Sequence, residues 1–196
     1  MISVLAFTLA LAAGVPRDLV FEKWFVERNV TVEIARTQIP WLRGTGELPA
    51  SASDVESVLL DFRGYRELMA PAVLKADILE SGEMTARLHM VWRYPFPLRN
   101  RDAVVRYRGE RLPGGTFRLS WQDETHPGDP AEGVRIAHVA GETTVVSLAS
   151  NRCRLIYTYV GDLGGSFPRS AEEKAWRAEP VGYFHALRRR MHLPDP

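Results

Sequence analysis

The sequence has little cysteine and no excess of charge of one sign, and each of these features excludes a class of protein. The single cysteine, Cys153, among 196 residues has no partner for an intramolecular disulfide, so a disulfide-stabilised scaffold is excluded. Lys and Arg number 25 and Asp and Glu 24, which leaves no basic footprint of the kind that nucleic-acid-binding proteins carry. We therefore expect an ordinary globular protein with no nucleic-acid partner.

Sequence motifs for metal binding and catalysis are also absent. The five histidines form neither an HExxH motif nor a pair four residues apart, and there is no Cys/His cluster. The sequence contains no G-x-S-x-G nucleophile elbow, no phosphate-binding P-loop and no Gly-rich dinucleotide fingerprint. It accordingly predicts no metal, no cofactor and no enzymatic activity, although a catalytic group assembled only by the fold leaves no such motif.

Long apolar runs are scarce too, and the one that is present lies at the N-terminus. Residues 2–13 carry no charged side chain, and Arg17 is the first residue that does. The run is shorter than the about 20 residues of a membrane-spanning helix, and small residues end it. This pattern is typical of a secretory signal peptide over residues 1–14, although no Lys or Arg precedes it. We expect export to the periplasm or the extracellular space and a single domain over residues 18–194. The alternative is a buried N-terminal element in a cytoplasmic protein.

Alternation of apolar and polar residues dominates the middle of the chain. Across residues 86–93 the apolar residues alternate with polar ones that include Arg87 and His89, and residues 103–108 repeat the pattern. A period of two predicts strands with one apolar and one solvated face, as in antiparallel sheets. We expect about six antiparallel strands between residues 72 and 160, with His89 exposed to solvent.

Helical periodicity flanks this region. A short helix is expected over residues 19–26, before two short strands, and apolar residues spaced at i, i+3, i+4 and i+7 predict a helix over residues 55–62. A long C-terminal helix carries an apolar stripe over residues 176–191, and Pro180 is expected to kink or split it. The order predicts an α+β fold in which the helices cover the apolar face of a curved sheet.

Three stretches of the chain carry a family resemblance. In residues 58–69 (VLLDFRGYRELM) a helix runs into a Tyr-containing turn. In residues 92–105 (WRYPFPLRNRDAVV) a strand runs into a Pro-x-Pro elbow, and the Arg101–Asp102 pair opens the next strand. Residues 164–168 (GGSFP) precede the C-terminal helix. In this order the three stretches resemble the START/SRPBCC superfamily, whose helix-grip fold is shared with the birch-pollen allergen.

The resemblance covers roughly residues 18–192 and points to a bacterial exported branch of the superfamily. It implies a START-like, curved antiparallel β-sheet wrapped around a long C-terminal helix. Members commonly bind a lipid, a sterol or another apolar ligand in a tunnel between the sheet and that helix. Some branches are enzymes, notably the polyketide aromatase/cyclases.

Under this fold, the inward-facing apolar and aromatic residues become candidate ligand contacts, because ligand pockets are mostly apolar with a few orienting polar groups. For any single member, packing in the core is the alternative. Arg101 and Asp102 either meet a polar head group or secure the elbow, and at most one of them faces the cavity. The candidate ligand-binding set is Leu88, Met90, Trp92, Val105, Tyr107, Leu119, Trp121, Tyr157, Tyr159, Trp176 and Phe184.

The sequence thus predicts a non-enzymatic carrier or sensor of a lipid or other apolar small molecule, with at most transient membrane contact. One alternative is a cavity enzyme of the cyclase or hydrolase type, which a strongly perturbed titratable group facing the cavity, with a partner in reach, would favour. Another is a protein-interaction module without a ligand, which an interior lacking a pocket of roughly 300 Å³ would favour.

Overall fold

The computed structural model describes residues 14–94, 96–136, 138–162 and 169–196, with side chains of the last stretch from residue 171 onward. All but the last residue of the predicted signal peptide, and all of the GGSFP stretch, lie outside the described residues. The elements are strands β1 (Glu22–Glu27), β2 (Val30–Ala35), β3 (Trp41–Leu48), β4 (Val73–Ser81), β5 (Thr85–Trp92), β6 (Arg101–Leu112), β7 (Thr116–Asp123), β8 (Val134–Arg135), β9 (Ala140–Ala149) and β10 (Arg152–Val160), and helices α1 (Ala52–Leu60), α2 (Tyr65–Leu68) and α3 (Arg169–Arg190).

The strands form a sheet in the order β1-β2-β3-β10-β9-β7-β6-β5-β4, and β8 pairs with β6 beyond the end of β7. All pairs are antiparallel except β6 with β8. Helix α3 packs on β2 and β3 and contacts α1 and α2. The main core therefore lies between one face of the sheet and the helices. This arrangement is the predicted α+β, START-like architecture.

The predicted opening helix is wrong, because the segment forms strand β1. Phe25 and Val26 pair with Val32 and Thr31 of β2, which adds a β-hairpin at the edge of the sheet. Aromatic and β-branched residues suit a strand that pairs with a neighbour, and this pairing outweighs a helical spacing seen over barely two turns.

Helix α1 begins at a serine that caps its N-terminus. The Ser51 side chain accepts a hydrogen bond from the backbone N–H of Asp54 and is the N-cap of the helix. Val55 and Leu59 are fully buried, and Tyr65, at the start of α2, donates its hydroxyl to the Leu59 carbonyl over 2.8 Å. The two helices therefore form one connected cover beside α3.

Helix α3 runs through Pro180 as a single element, so of the predicted kink or split, the split does not occur. The helix lies close to β3 at two glycines: a Cβ added at Gly44 would lie 3.0 Å from Pro180 Cβ, and one added at Gly46 would lie 2.8 Å from a Phe184 ring atom. Pro180 lacks an N–H, but contact with β3 at Pro180 and at Phe184, one turn later, holds the helix against the sheet. Among the described residues, no helix is long and apolar enough to cross a membrane.

The outer face of β5 and β6 is covered, which corrects the prediction of a solvated face. Residues 124–136, named here the outer strap, pass over this face. The Glu124 N–H donates to the Val104 carbonyl over 2.9 Å, and the Ile136 N–H donates to the Asp102 carbonyl over 2.8 Å. His89, predicted to be exposed, is 0% exposed. A period of two identifies the two faces of a strand but does not show that a distant connection covers one of them.

Candidate functional site

A cavity of about 150 Å³ lies between the sheet and α3. Strands β5, β6, β7 and β10 each contribute side chains, because residues two apart on a strand point to the same face. Helices α2 and α3 close the cavity from the opposite side. The predicted ligand-binding residues that line it are Met90, Trp92, Val105, Tyr107, Leu119, Trp121, Tyr157, Tyr159 and Trp176.

The other two predicted contacts, Leu88 and Phe184, lie in the core and do not line the cavity. Leu88 is fully buried on the same face of β5, two residues before Met90, and belongs to the main core. Phe184 occupies the space above Gly44 and Gly46 of β3. Both residues therefore position the elements that form the cavity wall.

Arg101 and Asp102 point to opposite faces of β6, and neither lines the cavity. The Arg101 guanidinium donates to the Arg99 carbonyl and lies 5.1 Å from the centre of the Tyr94 ring. Asp102 lies under the outer strap, where its Oδ2 accepts hydrogen bonds from His89 Nε2 over 3.1 Å and from the Glu132 N–H over 3.1 Å. Arg135 forms an ion pair with the same oxygen at 2.9 Å. These contacts favour the structural role for the pair.

Glu179 of α3 is a cavity residue that the sequence prediction missed. It is partly buried in the cavity wall, and its Oε1 accepts a hydrogen bond from the Tyr157 hydroxyl over 2.9 Å. Burial raises the pKa of the Glu179 carboxyl, and the Tyr157 hydrogen bond opposes that shift without reversing it. The spacing along α3 could have indicated this position. Glu179 follows Trp176 by three residues and precedes Tyr183 by four, so the three side chains share one face of the helix.

Tyr94 and Tyr183, which the sequence prediction also missed, line the cavity together with this carboxyl. The Tyr183 ring stacks on Tyr157 with 4.0 Å between ring centres, and its hydroxyl lies 2.9 Å from the Thr143 hydroxyl. Burial raises the pKa of Tyr183 and of Tyr157, and burial with the charge of Glu179 raises the pKa of Tyr94 to about 12. The tyrosine side chains are therefore neutral hydrogen-bonding groups near neutral pH.

Comparison with known proteins adds information on the fold. The sequence matches no protein-family model and no curated protein sequence. A solved structure of a STAR-related lipid transfer protein from Xanthomonas axonopodis superposes with a TM-score of 0.77 at 23% identity, covering 88% of this chain and 98% of that chain. The fold is START-like.

Two further structures have the same START-like architecture at lower identity. Human STARD10 superposes with a TM-score of 0.74 at 19% identity, over 86% of this chain and 73% of that chain. The Zhui aromatase/cyclase from Streptomyces sp. R1128 superposes with a TM-score of 0.57 at 18% identity, over 75% of this chain and 90% of that chain. Since these identities are below 25%, the likeness is one of fold.

In this START-like fold, Trp176 separates the cavity from an outer groove. Trp176 and Val160 line both spaces, and the groove continues past Trp24, Trp41 and His138. The indole Nε1 of Trp176 is buried and has no hydrogen-bond partner among the described residues. No hydrogen bond from the indole N–H to a described residue therefore has to break when the Trp176 ring moves.

The arrangement supports two kinds of chemistry. The apolar wall can bury the apolar surface of a small molecule, and the Glu179–Tyr157 pair offers a carboxyl and a hydroxyl that can exchange hydrogen bonds or protons with it. Over the described part of the chain, His, Cys, Asp and Glu form no group of three or more that could hold a metal ion.

Proposed function

We propose that this START-like chain binds a small, largely apolar molecule in the cavity beneath α3 and carries or senses it. The observation that carries the proposal is the wall itself, where aromatic and aliphatic side chains surround one carboxyl. Pockets of this composition bind ligands through apolar burial, while a few polar groups fix the orientation. The similar Xanthomonas structure, that of a STAR-related lipid transfer protein, supports a lipid-like ligand.

The size of the cavity limits what it holds in this conformation. Its 150 Å³ is below roughly 300 Å³, so size alone favours the ligand-free interaction module of the sequence analysis, but apolar cavities of about 150 Å³ do bind benzene-sized molecules. Burying ~200 Å² of apolar ligand surface contributes about 5 kcal/mol before the cost of association. A longer ligand therefore requires Trp176, and with it the first turns of α3, to move towards the outer groove.

A second candidate function follows from Glu179 and Tyr157. A carboxyl with a raised pKa, in a cavity and within hydrogen-bond reach of a hydroxyl, is the feature expected of a general acid–base pair. The aromatase/cyclase among the similar structures is consistent with this alternative. The carrier remains our first proposal because the wall offers no second acid or base besides the tyrosines among its described residues.

We also propose that the chain is exported, a proposal supported by the uncharged, apolar residues 2–13 and the small residues that end the run. Expression of the full chain in a Gram-negative host, followed by cell fractionation, tests it. A periplasmic product shortened at its N-terminus supports export, whereas a full-length cytoplasmic product contradicts it.

Native mass spectrometry tests the binding proposal. The purified chain is exposed to a lipid extract, adducts are recorded, and released small molecules are identified before and after prolonged incubation. Adducts that return chemically unchanged support a carrier, changed molecules support the enzyme, and a clean apo mass contradicts both.

A matched pair of variants shows whether the adduct occupies this cavity. Ala175 lines the cavity, whereas Ala178 lies exposed on the same helix. We expect Ala175→Trp to abolish the adduct by filling the space, and Ala178→Trp to retain it. Equal loss in both variants, or in neither, would place the ligand elsewhere.

A further inference from the structure

We propose that the cavity prefers ligands whose polar end is a cationic amine or ammonium group, with Glu179 as the counter-ion and the surrounding aromatic rings as the cage. This inference rests on the proposed function and specifies the ligand class of the same site.

Charge within the wall is of one sign. Among the described lining residues, Glu179 is the one Asp or Glu, and there is no Lys, Arg or His. Arg101 lies on the cavity-facing side of β6 but is 2% exposed, with its guanidinium directed to the Arg99 carbonyl and the Tyr94 ring. A ligand carboxylate would thus be buried beside another carboxylate without a counter-charge, which is costly.

Aromatic rings provide the second part of a cation site. Five of the tyrosines that line the cavity together with Glu179 come from four places in the fold: β6, β10, α3 and the segment after β5. Burial raises the pKa of each, with a further contribution from the charge of Glu179, and a Tyr ring attracts a cation at its face. These residues are Tyr94, Tyr107, Tyr157, Tyr159 and Tyr183.

Protonation of Glu179 links ligand charge to pH. With the cavity empty, burial favours the neutral acid. A bound cation stabilises the ionised form, so cation binding releases a proton and tightens as pH rises through the pKa of Glu179. The tyrosines around it remain neutral over this range because their pKa values are raised, and a neutral alcohol should bind with little dependence on pH.

Three probes with a common body test the inference: 2-phenylethylamine, 2-phenylethanol and phenylacetate. The phenyl group suits a cavity of about 150 Å³, and the fluorescence of Trp92, Trp121 and Trp176 in the wall reports binding. At pH 8 we expect the amine to bind roughly ten-fold or more tighter than the alcohol, and phenylacetate to bind weakest.

Variants assign the preference to Glu179. Glu179→Gln should reduce amine affinity to that of the alcohol while alcohol affinity persists, and Glu173→Gln, an exposed acid on the same helix, should leave both unchanged. Should Glu179→Gln fail to fold, the three affinities of the unaltered chain and their pH dependence still decide the matter.

The outcomes separate this inference from the proposed function. If the alcohol or phenylacetate binds as tightly as the amine, the cationic preference is overturned and apolar binding stands. If none of the three binds to the unaltered chain, while Ala175→Trp and Ala178→Trp also fail to differ towards a lipid extract, both the inference and the proposed function are wrong.

Discussion

Glu179 brings a pH dependence of stability with a defined sign. Below its ordinary pKa of about 4.5 the carboxyl is protonated in both folded and unfolded chains. As pH rises, the unfolded chain ionises first because burial raises the folded-state pKa, so the folded state loses stability until pH passes that raised value. We expect the free energy of unfolding of the unaltered chain to fall, relative to that of Glu179→Gln, over this window.

Urea unfolding at a series of pH values measures this difference. The exposed Glu173→Gln variant is the control and should track the unaltered chain at every pH. A difference between Glu179→Gln and the unaltered chain that stays constant with pH would show that Glu179 ionises as freely in the fold as in the unfolded chain.

Individual cavity residues were predictable where they were apolar, and not where they were polar. Alternation placed Met90, Trp92 and Tyr107 on the inward face, and the structure has them in the cavity wall. Glu179 was missed because an acid within an amphipathic helix is ordinarily assigned to solvent. Recognising it requires the helix to be placed against the sheet, where i+3 and i+4 neighbours share its face.

At the scale of elements, the close approach of α3 to β3 depends on glycine. An added Cβ at Gly46 would lie 2.8 Å from the Phe184 ring, which is itself buried. We expect Gly46→Ala to push Phe184 and α3 away from the strand and to lower the free energy of unfolding by about 1–3 kcal/mol in urea titrations.

A glycine of α3 itself is the matched control for that variant. Gly182 is exposed, and an added Cβ there meets nothing within 4 Å. Gly182→Ala should raise the free energy of unfolding by roughly 0.5–1 kcal/mol, since alanine favours the helix. Gly46→Ala with unchanged stability would mean that Phe184 does not hold α3 on the sheet.

The outer strap depends on Asp102. Removing this carboxylate leaves His89 Nε2 and the Glu132 N–H without their acceptor beneath the strap. We expect Asp102→Ala to lower the free energy of unfolding by about 2–4 kcal/mol, measured with urea, and to leave ligand affinity unchanged because it lies on the opposite face of β6 from the cavity.

An acid two strands away, on β4, provides the comparison. Asp77 on β4 is exposed and pairs with Lys75 at 3.1 Å. Asp77→Ala should change stability by less than ~0.5 kcal/mol, as for other exposed ion pairs. Asp102→Ala with an equally small effect would contradict the strap's dependence on this carboxylate.

For the molecule as a whole, element order was largely predictable and burial was not. Period-two alternation, the helical spacing over residues 55–62 and the C-terminal stripe predicted most of the sequence of strands and helices that the START-like fold contains. A local sequence pattern, however, predicts only its own strand or helix and not the segments that pack against it. Phe25 pairs with β2, the next strand along the chain, and His89 is covered by the outer strap, which is distant in sequence. Neither contact can be read from the residues of the strand alone.

The cavity is likewise a property of the whole fold. The same inward aromatic residues would form a filled core if α3 lay closer to β5 and β6. The distance between α3 and these two strands is set by contacts outside the cavity, with the glycines of β3 and with helices α1 and α2. No stretch of sequence around the cavity therefore encodes the empty space.

Labelling of the Cys153 thiol measures how cooperatively the sheet around β10 opens. It lies on β10 between β3 and β9, paired with Leu48 and Ser147, and is fully buried. Burial, with a smaller contribution from the charge of Glu47, raises the pKa of its thiol to about 11, so the folded chain presents very little thiolate. Labelling by a thiol reagent at pH 8 therefore requires β10 to separate from its neighbours.

Because three strands must separate together, we expect the labelling rate to follow global unfolding. The rate should rise with urea concentration with the slope of the equilibrium unfolding transition. Cys153→Ala fixes the background, and rapid labelling without urea would show that β10 opens locally, detached from the rest of the sheet.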